Sequence, residues 1–252
     1  MPELSPLAPA VLAALIVVYL LGGFVKGAAA FGQPMVTIPL ASFLLPVPTA
    51  IAISIAPMMA ANVVQLIQNR RALAAARAYL PFYATLAVCM IAGLAVLSSA
   101  GHERLLVLVG ALILIFVAVQ LTGWQPRIAT PLRLRAQLAS GALSGLLAGM
   151  TSFVSFPSIP VFVACRMPRE QFALVICVMF LLASTLLSTG LSALGVYGRA
   201  ELIATLVCIA PSAAGQMFGQ CVRDRLPERR LRAVVFAMLA AMGVSLVVRG
   251  LF

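Results

Sequence analysis

The chain has 252 residues, 63% of them hydrophobic and only 9% charged, with a formal net charge of +11 and a mean hydropathy of +1.13. An ordinary soluble domain is about 45–50% apolar and about 25% charged, and so few polar groups cannot cover the surface of a soluble fold of this size. At ~20 residues per crossing the length is used up by eight to ten membrane passes, which excludes a sizeable extramembrane domain.

Apolar runs fall at about 8–31, 34–46, 49–67, 78–99, 105–122, 138–155, 157–167, 171–190, 201–220 and 232–250. The opening MPELSPLAPA has no positively charged n-region, so the first run is expected to be retained rather than cleaved as a signal peptide. That run carries Gly23 and Gly27, four apart on one helical face, a spacing that lets another helix approach closely. It also carries Lys26, although a lysine at mid-bilayer costs about 2.5–3.5 kcal/mol on insertion scales. Two readings account for it: neutralisation of a bound anion, or snorkelling to the nearby interface.

The second run follows a break at Gly32-Gln33-Pro34, is short, and contains Pro39, so it is expected to be a half-helix or re-entrant piece. Unsatisfied N–H groups at such a helix start attract anions, and Gln33 and Thr37 stand beside them as side-chain donors. In the third run Asn62 and Gln65 lie three apart on one face, as anion donors or as interhelical glue. Pro57 in that run and Pro211 in the ninth are expected to kink their helices and leave carbonyls in need of partners.

His102, the sole histidine, follows Gly101 in a short external connection, and Trp124 sits at an expected membrane–water boundary as a belt anchor. The sixth run repeats the small-residue spacing at Gly141, Gly145 and Gly149 and leads into a second break, Ser155-Phe156-Pro157. The seventh run is again short, with Pro160, and Ser152, Ser155 and Ser158 cluster at its start. Serines can instead bond back to their own helix. In the ninth run Ser212 and Gln216 share a face.

Charge decides how many runs cross. If all ten do and the N-terminus lies outside, 13 of the 17 basic residues fall in cytoplasmic connections, around Arg70, Arg127, Arg166 and Arg229. If the two short runs are left out, the five arginines of CVRDRLPERRLR move to the face opposite the first two basic loops, against the positive-inside rule. Ten charge-consistent passes are therefore expected, two of them incomplete helices. The basic residues read as topology signals, with no sign of nucleic-acid binding. The five cysteines are scattered and read as small buried hydrophobes.

The chain also repeats itself. GGFVKGAAAFGQPMVTIPLASFLLPVPTAIAISI is echoed by SGLLAGMTSFVSFPSIPVFVACRMPREQFALVIC, with Pro39 and Pro160 121 residues apart and Pro48 and Pro168 120 apart. Five runs per half reverse the entry side of the second half, so residues 1–126 and 127–252 form two inverted-topology repeats of one transmembrane domain.

The stretches AAAFGQPMVTIPL and SFVSFPSIPVF, with the tail RDRLPERRLRAVVFAMLAAMGVSLVVRGL, resemble the sulfite exporter TauE/SafE family of anion permeases over essentially the whole chain. Where relatives tend to have runs of glycine, this sequence has Gly32-Gln33-Pro34 and Ser155-Phe156-Pro157, so the resemblance speaks more to fold than to substrate. It implies transport of a sulfur oxyanion or organosulfonate, of the sulfite, thiosulfate or sulfoacetate type, by alternating access in a bacterial-type inner membrane.

All six acidic residues (Glu3, Glu103, Glu170, Glu201, Asp224, Glu228) fall at expected helix ends or in loops, which disfavours proton antiport through a carboxylate. A uniporter, a co-transported protonated substrate and Na+ coupling stay open, as does a homodimer. No HExxH, P-loop, buried histidine base or cofactor motif points to an enzyme. The expectation is an all-α integral membrane protein of about 8–10 transmembrane helices, two of them short and broken, with no cofactor or metal. A small anion is its substrate, held by Lys26, Gln33, Thr37, Asn62, Gln65, Ser152, Ser155, Ser158 and Gln216. A permease for a small organic carboxylate, or a non-transporting subunit of a larger assembly, are the alternatives.

Overall fold

The computed structural model describes residues 5–29, 32–68, 76–99, 101–122, 128–223 and 228–251, and these contain helices and turns but no strand. Ten α-helices run along the described chain. They are α1 (Pro9–Ala29), α2 (Gln33–Ala41), α3 (Val47–Gln68), α4 (Leu80–Ser99), α5 (His102–Leu121), α6 (Arg133–Thr151), α7 (Ser158–Ala164), α8 (Arg169–Ala193), α9 (Arg199–Arg223) and α10 (Glu228–Leu251). By length and composition, Pro9–Ala28, Arg77–Ser99, Glu103–Leu121, Gln171–Ala193 and Arg199–Arg223 are each able to cross a bilayer, while Val47–Val63 and Phe236–Leu251 are shorter apolar stretches. The protein is an all-α, multi-pass membrane protein.

Every expected run has its helix, and the two short runs are the two short helices. The boundaries shift by a few residues at several helices: α2 stops at Ala41, five residues short of its run, and α10 starts at Glu228, four ahead of its run. α6 starts at Arg133 and stops before Ser152, whose φ of 64° is left-handed, because helical hydrogen bonding does not need apolar residues in the first turn. His102 is not in a loop but opens α5, after Gly101 as N-cap and with Glu103 in the first turn, where a carboxylate complements the helix dipole. Trp124, Arg70 and Arg127 lie outside the described residues. The cysteine expectation holds for Cys165, Cys177 and Cys208, which are buried, but not for Cys221, which is exposed, or Cys89, which is half-buried. Cys221 is two residues from the packed Gly219 and so points from the opposite face of α9.

The helices form two compact units, Met1–Pro57 with Ala100–Thr122 and Leu191–Phe252, and Met58–Ser99 with Gly123–Gly190. In the first unit α1 lies along α9. A Cβ added to Gly23 or Gly27 would strike the carbonyl oxygens of Ser212 and Gln216, and one added to Gly215 or Gly219 would strike those of Leu20 and Phe24. In the second unit α4 and α6 make the same kind of seam, with Gly145 against the Leu86 carbonyl and Gly93 against that of Leu146. Hydrocarbon offers helices no hydrophobic reason to associate, so close backbone approach supplies the contact.

Each short helix returns the chain toward the side on which the preceding long helix began. In the first unit Ala41 and Leu45, at the end of α2, share a cluster with Val11 and Leu15, near the start of α1. At the same end Arg249 of α10 stacks on the Phe43 ring, 4.7 Å from its centroid. In the second unit the Ile128 N–H, ahead of α6, donates to the Ala164 carbonyl at the end of α7 (3.3 Å). Phe162 anchors α7, with ring centroids 4.8 Å from Phe82 and 5.6 Å from Tyr79.

Pro57 lies inside α3 and cannot donate to the carbonyl four residues back, that of Ile53. The Thr205 hydroxyl of α9 donates to that oxygen at 2.7 Å, in a fully buried setting. Replacing Thr205 by valine keeps the shape and strands the carbonyl, for an expected loss of about 1–3 kcal/mol. Thermal unfolding in detergent should show a lower midpoint for Thr205→Val and near-complete rescue in Thr205→Ser.

Candidate functional site

Two buried polar clusters form, one in each unit. In the first unit α2 begins directly after Gly32, whose φ of 94° is left-handed, a conformation that glycine adopts without a Cβ penalty. No side chain caps the start of α2, and eight of its nine residues are buried. Its polar face meets α1 at Gly22, where an added Cβ would press on Thr37 and come within 3.5 Å of the Gln33 side chain.

From there a chain of hydrogen bonds crosses the unit. The Gln33 side-chain amide (Nε2) donates to the Ser212 hydroxyl of α9 at 2.9 Å. The Thr37 hydroxyl donates to the Gln33 carbonyl at 3.1 Å and lies 3.3 Å from the Ser54 hydroxyl of α3. Ser54 donates to the Ala50 carbonyl at 3.0 Å and pairs with the Tyr19 hydroxyl of α1 at 2.8 Å. Tyr19 and Ser212 stand near the midpoints of α1 and α9, which places the cluster deep in the membrane if both helices span it.

Lys26 lies in the last turn of α1 and is only 8% exposed. Tyr19, Gly22 and Lys26 follow one another at i, i+3 and i+7, a single stripe of the helix. Since Gly22 and Tyr19 touch the α2–α3 cluster, the stripe that carries Lys26 is the one that faces it. The cationic side chain also complements the carbonyl end of α1.

In the second unit the Ser158 N–H, first of α7, donates to the Ser144 hydroxyl of α6 at 3.1 Å, and the Ser158 and Ser144 hydroxyls pair with each other. Ser144 thus acts as an N-cap supplied by a neighbouring helix. Ser152 and Ser155 are buried on the connecting segment, which contains a cis Phe156–Pro157 peptide bond, and the Ile159 N–H donates to the Ser155 carbonyl at 3.0 Å. Asn62 is also buried, and its backbone carbonyl accepts from the Cys177 thiol at 2.8 Å.

Of the expected residues, Gln33 and Thr37 come together in one cluster, with Lys26 on the adjoining stripe, and Ser158 pairs with Ser144 in the other, while Ser152 and Ser155 are buried on the segment that leads into it. Gln216 is half-buried and meets α1 through its backbone, against Gly27. Gln65 lies in α3, with its side chain outside the described residues. Tyr19, Ser54, Thr205 and Ser144 were not singled out from the sequence. The 19/22/26 spacing would have found Tyr19, but Ser54, Thr205 and Ser144 sit in apolar or small-residue runs that give no such sign. Among the described residues no group of three or more His, Cys, Asp or Glu side chains is placed to hold a metal.

No curated protein and no solved structure matches this chain. The family model described as Sulfite exporter TauE/SafE matches residues 15–246, nearly the full length. The chain therefore belongs to the sulfite exporter TauE/SafE family, and it is a membrane transporter rather than an enzyme.

Proposed function

We propose that the protein carries a small sulfur oxyanion or organosulfonate, of the sulfite, thiosulfate or sulfoacetate type, across the inner membrane by alternating access between two inverted five-segment repeats. One observation carries this reading: a buried lysine on the helical stripe that faces an uncapped, buried helix start at α2. Cation, the backbone N–H groups of a helix start that no side chain caps, and the Gln33 amide together suit a compact anion. The serine cluster at the α6–α7 break is the repeat counterpart of this site. In support, the left-handed residues Gly32 and Ser152 are 120 positions apart, and α1–α9 and α6–α4 are equivalent pairs under the same shift.

The direction proposed is outward. An interior-negative potential drives an anion out at about 2.3 kcal/mol per charge per 100 mV, and Glu103, Glu170, Glu201 and Glu228 lie in the first turns of α5, α8, α9 and α10, away from the mid-helix positions where a coupling carboxylate would sit. Purified protein in liposomes on a solid-supported membrane provides the test, with sulfite, thiosulfate, taurine, sulfoacetate and acetate as challenges. Currents for one or more sulfur anions and none for acetate are expected. Acetate currents alone would make the protein a carboxylate permease, and loss of sulfite uptake on collapsing an ion gradient would overturn the uniport reading.

A further inference from the structure

The first-unit cluster is short of protons. Tyr19, Thr37 and Ser54 own three hydroxyl protons, yet four contacts run between them and to the Gln33 and Ala50 carbonyls. The side-chain oxygen of Gln33, Oε1, is buried with no hydrogen-bond partner, in a residue only 1% exposed. Buried acceptors are nearly always satisfied, so one left over calls for a donor that arrives with something else. A bare alkali cation would also suit an acceptor, but the stripe of α1 that faces the cluster carries the positive charge of Lys26, which favours an anion.

We propose that the ligand of this site is a monoanion bearing its own hydrogen-bond donor, the hydrogensulfite form of sulfite rather than the dianion, and that Gln33 Oε1 accepts that proton's hydrogen bond. This rests on the sulfur-oxyanion reading above and adds the protonation state of the cargo and the residue that selects it. Lys26 answers the charge and Gln33 answers the O–H. A site built to bond a substrate hydroxyl discriminates strongly against an analogue that lacks it, because its own polar group is then stranded. Each turnover then moves one negative charge and one proton together, so proton movement is tied to sulfite movement without a titrating carboxylate.

The titratable groups near the cluster are Tyr19 and Lys26 of α1, Cys208 of α9, and Tyr197 just ahead of α9. α2 and the first-unit part of α3 contribute none, and α5 and α10 carry theirs near their ends, including Glu103, Arg104 and Arg249. Sulfite itself exchanges its second proton near neutral pH, so the cargo titrates in the working range.

The test measures radiolabelled sulfite flux into proteoliposomes of the full chain between pH 6 and 8.5, with methanesulfonate, a monoanion without an O–H, as competitor. The expected result is a KM that stays constant when written in hydrogensulfite and varies when written in the dianion, with methanesulfonate at least tenfold weaker. Gln33→Met, similar in size but without the acceptor, should raise KM for hydrogensulfite about 10- to 100-fold and bring methanesulfonate level with it. A KM constant in the dianion overturns the inference, and so does a preference for methanesulfonate, which would mean that the amide presents its N–H2 edge. Both readouts on the unsubstituted protein stand even if Gln33→Met fails to fold. Absence of sulfite flux at every pH overturns the inference, and only silence for thiosulfate and sulfoacetate as well would defeat the sulfur-oxyanion reading beneath it.

Discussion

Valine at Gly215 or Gly23 is expected to eliminate folded protein, seen as loss of the monodisperse peak in detergent size-exclusion chromatography. The cause is local and steric. The first carbon added at Gly23 strikes the Ser212 carbonyl oxygen, and the first at Gly215 strikes that of Leu20. A flexible side chain can rotate away from an intruder, but a helix backbone cannot, so α1 and α9 must separate along their length. Overpacking costs about 1–3 kcal/mol where neighbours can adjust. Here they cannot, and valine adds three carbons against a total stability of roughly 5–15 kcal/mol. Gly145→Val should fail in the same way against the Leu86 carbonyl. Gly101→Ala is the control: nothing lies within 4 Å of the added Cβ, and its chromatogram should be unchanged.

The largest functional effect is expected from Lys26→Ala. An anion about 4 Å from the ammonium, at an effective dielectric of 20, gains about 4 kcal/mol, and losing it lowers affinity roughly a thousandfold. Sulfur-anion currents in liposomes should therefore disappear at concentrations that saturate the unsubstituted protein. Lys26→Arg keeps the charge in a wider head group and should keep a reduced current. The competing account, a lysine reaching for the interface, predicts that alanine leaves the currents within about twofold. An exposure of 8% argues for the first account, because it leaves little of the side chain at any surface.

Much of the fold was legible because membrane helices write themselves as apolar runs, and arginine placement fixes which of the short ones must count. The two prolines that identified the broken segments, Pro39 and Pro160, lie inside α2 and α7. The carbonyl expected to be freed by Pro57 has its partner in the Thr205 hydroxyl, although no local pattern marks Thr205 as that partner, 148 residues further along the chain. Gln33 and Thr37 were legible because amides and hydroxyls next to a break are conspicuous. Ser54 and Ser144 were not, since a serine in an apolar or glycine-rich helix ordinarily bonds back to its own turn. Ser54 does so, to Ala50, while also receiving Tyr19. That second contact is tertiary and cannot be read from neighbours in sequence.

The glycine seams have a mechanical consequence. Where two backbones touch directly, no rotamers lie between them to re-pack, so the contact has no series of small intermediate settings. Sliding α1 along α9 would mean lifting Gly23 and Gly27 clear of one pair of carbonyls and seating them on the next, a jump of a full turn of about 5.4 Å. Each pair is a stiff strut over any smaller displacement, α1 with α9 and α4 with α6. The adjustable parts are the pieces held by side-chain hydrogen bonds and ring contacts: α2 on Ser212 and Ser54, and α7 on Ser144 and Phe82.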